Sequence, residues 1–294
     1  SILDSIGWII KTYGASFFPI FNEHLSNLCK SLCASELGHV RAAGICMLDD
    51  VLEHCGETTA PVIVPDLLMA ASQGIGAEEP MVRQACLYGF GLCAKFGGTS
   101  FNNQIAQQCL PQLIQYVDYW KRDDIRNKAL LNNNNVDAPT DCGVSAVGSI
   151  LAHRPETANS EFWSKWLSWL PLDSAHGDRL EAMDVHKLLL EQIIKNNVLL
   201  LGNSNENLPK VLTVLARAAR GIPLKNVLDS VNYDEGDDVA LIANPDLQNF
   251  MGHLITGQST GGSGGVAKAP EVIVLKDGTG TYTTPKGALY LTVE

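Results

Sequence analysis

An all-α solenoid of antiparallel helix pairs, followed by a short β-patterned tail, is the fold class this sequence predicts, and three observations predict it. Apolar residues recur at steps of three and four through most of the chain. Val82, Ala85, Cys86, Gly89, Leu92 and Cys93, for example, draw one stripe down a helix. The string Val-Arg-x-Ala starts at Val40 and again at Val82, 42 residues further on, and each copy heads a helical pattern that stops at glycine. A second helical pattern follows each copy, so the period holds a pair of helices.

Paired helices at this period are the mark of a HEAT-type solenoid, which winds into a right-handed superhelix of stacked pairs. Length and composition agree. The chain has 294 residues, 46% of them hydrophobic, enough to keep a continuous core under a long array. Its formal net charge is -11 and its pI about 5.1. That excludes nucleic acid as the main ligand, which wants a basic face, and suits a basic partner. No apolar run reaches the ~20 residues a bilayer-spanning helix needs, so no membrane is expected. The eight cysteines make no Cys-x-x-Cys pair and fall mostly in apolar helical stretches, which reads as reduced core residues of an intracellular protein. The helical pattern is already running at Ser1, without a methionine, as in a piece of a longer chain.

Taken in order, Ile2, Ile6, Ile9 and Ile10 form a stripe that ends near Tyr13-Gly14. A second helix is expected over Phe17–Cys33, with Phe18, Phe21, Leu25, Leu28 and Leu32 on one face. The helix at Val40 runs to Leu52 and stops near Gly56, and its partner spans about Ala60 to Ser72. Acidic residues and Pro80 then open the helix that closes at Gly97-Gly98, because proline lacks only an N–H that the first turn leaves unpaired anyway. We read this helix as the first of its pair, with its partner at about Ser100 to Tyr116. The polar stretch Asp118–Asp141, with four consecutive asparagines at 132–135, is expected as a loop holding at most a short helix over Ile125–Leu131. Helical patterns resume at Cys142–Ala152, Glu161–Leu170, Asp178–Asn196 and Asn207–Arg217, the last with Asn205 as a candidate cap. Val227 and Pro245–Ile255 supply short closing helices.

At Gly257 the character changes. Residues 1–256 are the helical body, 257–269 a Gly/Ser-rich linker of engineered appearance, and 270–294 a β-patterned peptide with Asp277-Gly278 as its hairpin turn. The tail reads as a fused partner segment. Val272, Val274, Tyr282, Leu289 and Leu291 are its candidate contact residues. A linker of about a dozen residues reaches roughly 20 Å r.m.s. and at most about 45 Å, so docking in cis would fall on the last helix pairs.

Catalytic chemistry has no supporting constellation: there is no His-Glu-x-x-His, no phosphate-binding loop and no Gly-x-Ser-x-Gly. No cofactor and no metal are expected. Cys29 and Cys33 lie one turn apart without a histidine at ligand spacing, and His54 sits where it can cap a helix end. Asp49 and Asp50 are expected to pair with an arginine of the neighbouring repeat, such as Arg83, in a structural ladder that also includes Arg41.

Several strings resemble importin-5 type (karyopherin-β3) nuclear import receptors. They are Leu48-Asp49-Asp50-Val51-Leu52-Glu53-His54-Cys55, Val82-Arg83-Gln84-Ala85, Trp166-Leu167-Ser168-Trp169-Leu170-Pro171-Leu172 and Asn207-Leu208-Pro209-Lys210. The resemblance covers about Ser1–Val231, matches the C-terminal end of that family, and has no counterpart for the asparagine run or the tail. It implies a non-catalytic, cargo-binding part of a receptor that shuttles between cytoplasm and nucleus. The partners it implies are cargo proteins or peptides, Phe-Gly nucleoporins, and Ran-GTP through N-terminal repeats outside this sequence. A HEAT scaffold assembling some other complex is the alternative. A solenoid's concave wall is usually lined by the second helix of each pair. On the pairing above, its candidate binding residues are Asp66, Asp118, Asp123, Asp124, Glu161 and Glu206, with Trp163 as an aromatic contact.

Overall fold

A computed structural model describes residues 2–172 and 176–219. The expectations for the linker, the tail and the closing helices at Val227 and Pro245–Ile255 lie outside the described residues. Within them the chain is an all-α solenoid of the HEAT type, with no strand among the described residues.

The helices form where the apolar periodicity places them. α1 spans Ile2–Tyr13 and ends at Gly14, which takes φ +52°. The expected second helix is not uniform. α2 (Phe18–Ile20) passes through a five-residue π turn, Phe21–Leu25, into α3 (Ser26–Cys33). There the Ser26 N–H donates to the Phe21 carbonyl, one residue further than in an α-helix, and Phe21 is seated in the core at 1% exposure. α4 (Gly38–Cys55), α5 (Ala60–Gly74) and α6 (Pro80–Phe96) follow the sequence reading closely.

α7 runs over Asn103–Trp120, its start fixed by Asn102, whose side chain accepts the Ile105 N–H. The expected short helix is present as α8, but the rest of the expected polar loop is largely helical too, which corrects that reading. α7 extends into it, α8 occupies Asp123–Leu131, and α9 (Asp137–His153) begins before Cys142. Two effects order the stretch. Asp123 and Asp124 stand in the first turn of α8, where the helix dipole favours them. The Arg126 guanidinium also forks onto the Asp137 carboxylate at 2.5 and 2.7 Å, tying α8 to α9. α10 (Ser160–Ser168) and α11 (Arg179–Ile194) carry side-chain caps from Asn159 and Asp178. A short α12 (Val198–Leu201), absent from the sequence reading, precedes α13 (Leu208–Ala219). Asn205 is a left-handed turn residue (φ 58°) before that helix, whose first backbone bond is accepted by Asn207.

Packing sets the phase of the repeats. α4, α6, α9 and α11 lie side by side in one row, with α1 against α4. α3, α5 and α7 pack across the row onto α4, α6 and α9. α6 packs far more extensively on α5 than on α7, so it is the second helix of its pair, not the first as its sequence suggested. The same correction applies to α4.

Candidate partner-binding groove

The row α1–α4–α6–α11 encloses an open groove of about 960 Å3, to which α3, α5 and α7 contribute no lining. The residues that shape it follow from helix periodicity. Ala42, Cys46, Asp49, Asp50 and Glu53 come from successive turns of α4, and Met81, Gln84, Ala85 and Tyr88 from one face of α6. α11 supplies Leu180, Glu181, Met183 and Asp184, and its cap Asp178 closes that side. Six of the lining side chains are carboxylic acids (Asp49, Asp50, Glu53, Asp178, Glu181, Asp184), against Lys11 and His54. Large apolar side chains rim these acids: Trp8, Met81, Leu180 and Met183 are 68%, 51%, 71% and 45% exposed. The groove therefore offers negative charge set among apolar contacts.

Hydrogen bonds hold the walls in place. The Tyr88 hydroxyl donates to Glu53 Oε2 at 2.9 Å, joining α6 to α4. The Gln84 amide donates to Asp178 Oδ2 at 2.8 Å, joining α6 to the head of α11. Burial raises the acids that line the floor. It pushes Asp49 well above the ordinary carboxylate range, with Asp50 next in effect, and it raises Asp50 in turn. Glu181 is pushed up to about 7, against the opposing pull of a Ser145 hydrogen bond.

The residues chosen from the sequence are not gathered here. Asp66 pairs with Lys30 at 2.9 Å, between α5 and α3. Asp118 accepts the Trp169 indole N–H at 3.0 Å and pairs with Lys165 at 2.8 Å, which makes it a strut between α7 and α10. Asp124 is engaged with its neighbour Arg122. Asp123, Glu161 and Glu206 are exposed on α8, α10 and the turn before α13, and Glu206 accepts the Ser204 N–H. Trp163 is fully buried, edge-on to Trp166 at 5.4 Å between ring centres, so it fills the core and offers no contact surface. Val272, Val274, Tyr282, Leu289 and Leu291 lie outside the described residues.

The expected aspartate–arginine ladder is also corrected. Arg83, 3% exposed, donates to the carbonyls of Ala77 and Glu78 at 2.7 Å each, to the Tyr116 hydroxyl and to Asn134 Oδ1, and lies over the Trp120 ring. Arg41 pairs with Glu79 at 3.2 Å. Arg41 and one Arg83 nitrogen reach the turn that leads into α6, the rest of Arg83 reaches Tyr116 and Asn134, and neither arginine bonds Asp49 or Asp50. The cysteines divide as well. Cys29, Cys55, Cys86, Cys93 and Cys142 are buried, Cys33 and Cys109 partly so, while Cys46 is exposed in the groove.

The sequence reading missed Glu53, Asp178, Glu181 and Asp184. Glu53 stands four residues after Asp49 and Asp184 three after Glu181, a spacing that places each pair on one helix face. That spacing was a usable signal once α4 and α11 were placed in the same row.

These features define a class: a HEAT-type helical solenoid with an acidic groove along the row of second helices. Its fold is shared with solved structures of the karyopherin Kap121p. Against Kap121p bound to RanGTP the chain shows 18% identity and a TM-score of 0.52, covering 85% of this chain and 22% of that one. Against Kap121p bound to the SUMO protease Ulp1p the figures are 17% and 0.53, and against a triple mutant of Kap121p 18% and 0.54, with the same coverage. The chain thus spans about a fifth of the length of these structures. The likeness is one of fold. No protein-family model matches the chain.

Proposed function

We propose that this chain is the partner-binding, C-terminal part of a nuclear transport receptor of the import class, acting by binding without catalysis. The acidic groove on the second-helix row carries the reading, because a wall of carboxylates with apolar rims fits a basic protein segment and speeds its encounter. The fold shared with Kap121p, whose structures include complexes with RanGTP and with Ulp1p, supports it. On this reading cargo proteins or peptides are the ligands, Phe-Gly nucleoporins are met during passage through the pore, and Ran-GTP acts through repeats N-terminal to these. The receptor shuttles between cytoplasm and nucleus. On the same reading the segment 270–294, outside the described residues, is a fused partner peptide.

The test is partner capture by the full-length receptor, with and without Ran-GTP and at rising salt. Partners should be released by Ran-GTP, and binding to this region should weaken as salt screens the groove. Indifference to Ran-GTP overturns the import reading in favour of a scaffold for another complex.

A further inference from the structure

Cys29 and Cys33 stand one turn apart on α3, and both meet α4 at Gly44. The Cys29 side chain is fully buried, and its thiol donates to the Gly44 carbonyl at 3.2 Å. At the same place α4 comes so close that a Cβ on Gly44 would stand 2.6 Å from the Cys33 backbone nitrogen. The two cysteines differ in access. Cys33 is half-buried and ends α3, with exposed Ala34 after it.

An inner thiol behind an outer one favours the outer as a nucleophile, because the thiolate is the attacking form. A hydrogen bond from the Cys29 thiol holds Cys33 below the ordinary thiol range, against the opposing effects of burial and of Asp66. The other cysteines are all pushed up, Cys29 first by Cys33 and the rest chiefly by burial. Among the described residues no group of three or more His, Cys, Asp or Glu could hold a metal ion, which leaves the pair to thiol chemistry.

We propose that Cys29 and Cys33 form a peroxide-reactive dithiol, with Cys33 as the attacking residue and Cys29 as the one that resolves it into a reversible disulfide. The Cys33 thiolate attacks hydrogen peroxide: an S–O bond forms, the O–O bond breaks and hydroxide leaves. The Cys29 sulfur then attacks the Cys33 sulfenic acid. An S–S bond forms, the S–O bond breaks, and the departing hydroxide takes the Cys29 proton as water. Two thiols are oxidised and one peroxide is reduced to water. Side chains one turn apart hold their Cβ atoms about 5–6 Å apart, and a disulfide needs about 3.8 Å, so the last turn of α3 must tighten. Cys33 ends the helix, so the tightening falls on that turn alone. The Cys29 thiol gives up the Gly44 carbonyl, and the seam between α3 and α4 loosens. A bridge closed against such resistance is readily reopened by a thiol reductant.

The experiment treats the whole 294-residue chain, reduced and freed of reductant, with hydrogen peroxide at about neutral pH. Remaining thiols are blocked with iodoacetamide, and the chain is cut with trypsin for mass spectrometry. Trypsin cuts after Lys11, Lys30 and Arg41, so the bridge joins residues 12–30 to 31–41 in a species that separates on reduction. That species should be the first oxidation product, with Cys33 oxidised about tenfold faster than the exposed Cys46. The oxidised chain should melt several degrees lower and recover with dithiothreitol. Cys29→Ser keeps a donor to the Gly44 carbonyl, so the fold stands, and should leave Cys33 as a sulfenic acid trapped by dimedone. Cys33→Ser should abolish both the bridge and the trapped acid, while Cys46→Ser changes neither. Oxidation of Cys46 ahead of Cys33, a bridge to any other cysteine, or a Cys33 that peroxide leaves reduced overturns the assignment.

Discussion

Replacing Glu181 by glutamine should flatten a fall in stability that the wild-type chain shows between mildly acidic and mildly alkaline pH. Glu181 lies on α11 at 6% exposure, and burial pushes its carboxyl from an ordinary 4.5 up to about 7. Between those values the folded chain holds a proton that the unfolded chain has released. The stability this confers is fully present below about pH 4.5 and is lost as pH rises through 7. A rise from 4.5 to about 7 corresponds to about 3 kcal/mol. For a domain of this size that is a shift in thermal midpoint of roughly 6–12 °C. Asp141 is pushed up to about 7 by its own burial, acts in the same direction, and remains in the variant. The wild type should therefore lose more midpoint between pH 5 and 8 than Glu181→Gln, with a difference of about 3 kcal/mol by calorimetry at the two pH values. Glutamine keeps the shape and can still accept the Ser145 hydroxyl, so packing is not the variable. Parallel pH profiles for the two proteins would refute the reasoning, because they would mean that Glu181 is ionised in the folded chain at neutral pH.

Two further substitutions probe the scaffold. Arg83→Met leaves the Ala77 and Glu78 carbonyls, the Tyr116 hydroxyl and Asn134 without their donor, and should lower stability by about 3 kcal/mol in urea unfolding; a loss under about 1 kcal/mol would show that the guanidinium is dispensable. Gly148→Val places a Cβ 2.6 Å from the Trp166 indole nitrogen, which donates to the Val144 carbonyl from a fully buried site. It should cost about 1–3 kcal/mol or more and shift tryptophan emission to the red, and an unchanged spectrum with an unchanged melt would contradict the packing described.

What the sequence made legible and what it hid have one physical origin. The helices were legible because each has an apolar face that must be buried, and a period of three to four residues records that need in every turn. The hidden part was the phase. A 42-residue period between Val40 and Val82 is the same whether the helix at Val82 opens its pair or closes it, so periodicity alone cannot choose which wall faces the groove. Choosing wrongly moves every candidate by one helix, from Glu53, Glu181 and Asp184 to Asp66, Asp118 and Glu161. The last three are struts or exposed side chains outside the groove. What breaks the degeneracy is packing, because α6 lies far more on α5 than on α7. An arginine in the first turns of a helix, reaching back to the carbonyls of Ala77 and Glu78, sews the preceding turn onto its own helix. The same guanidinium also reaches Tyr116 and Trp120 of α7, so it braces both connections and the phase is carried by the apolar contact of α5 with α6. The sequence reading assigned Arg83 a carboxylate of a neighbouring repeat, whereas its acceptors are the Ala77 and Glu78 carbonyls, the Tyr116 hydroxyl and Asn134. Arg41 is spent on Glu79 in that same turn, so neither arginine reaches Asp49, whose carboxyl burial holds in its neutral form.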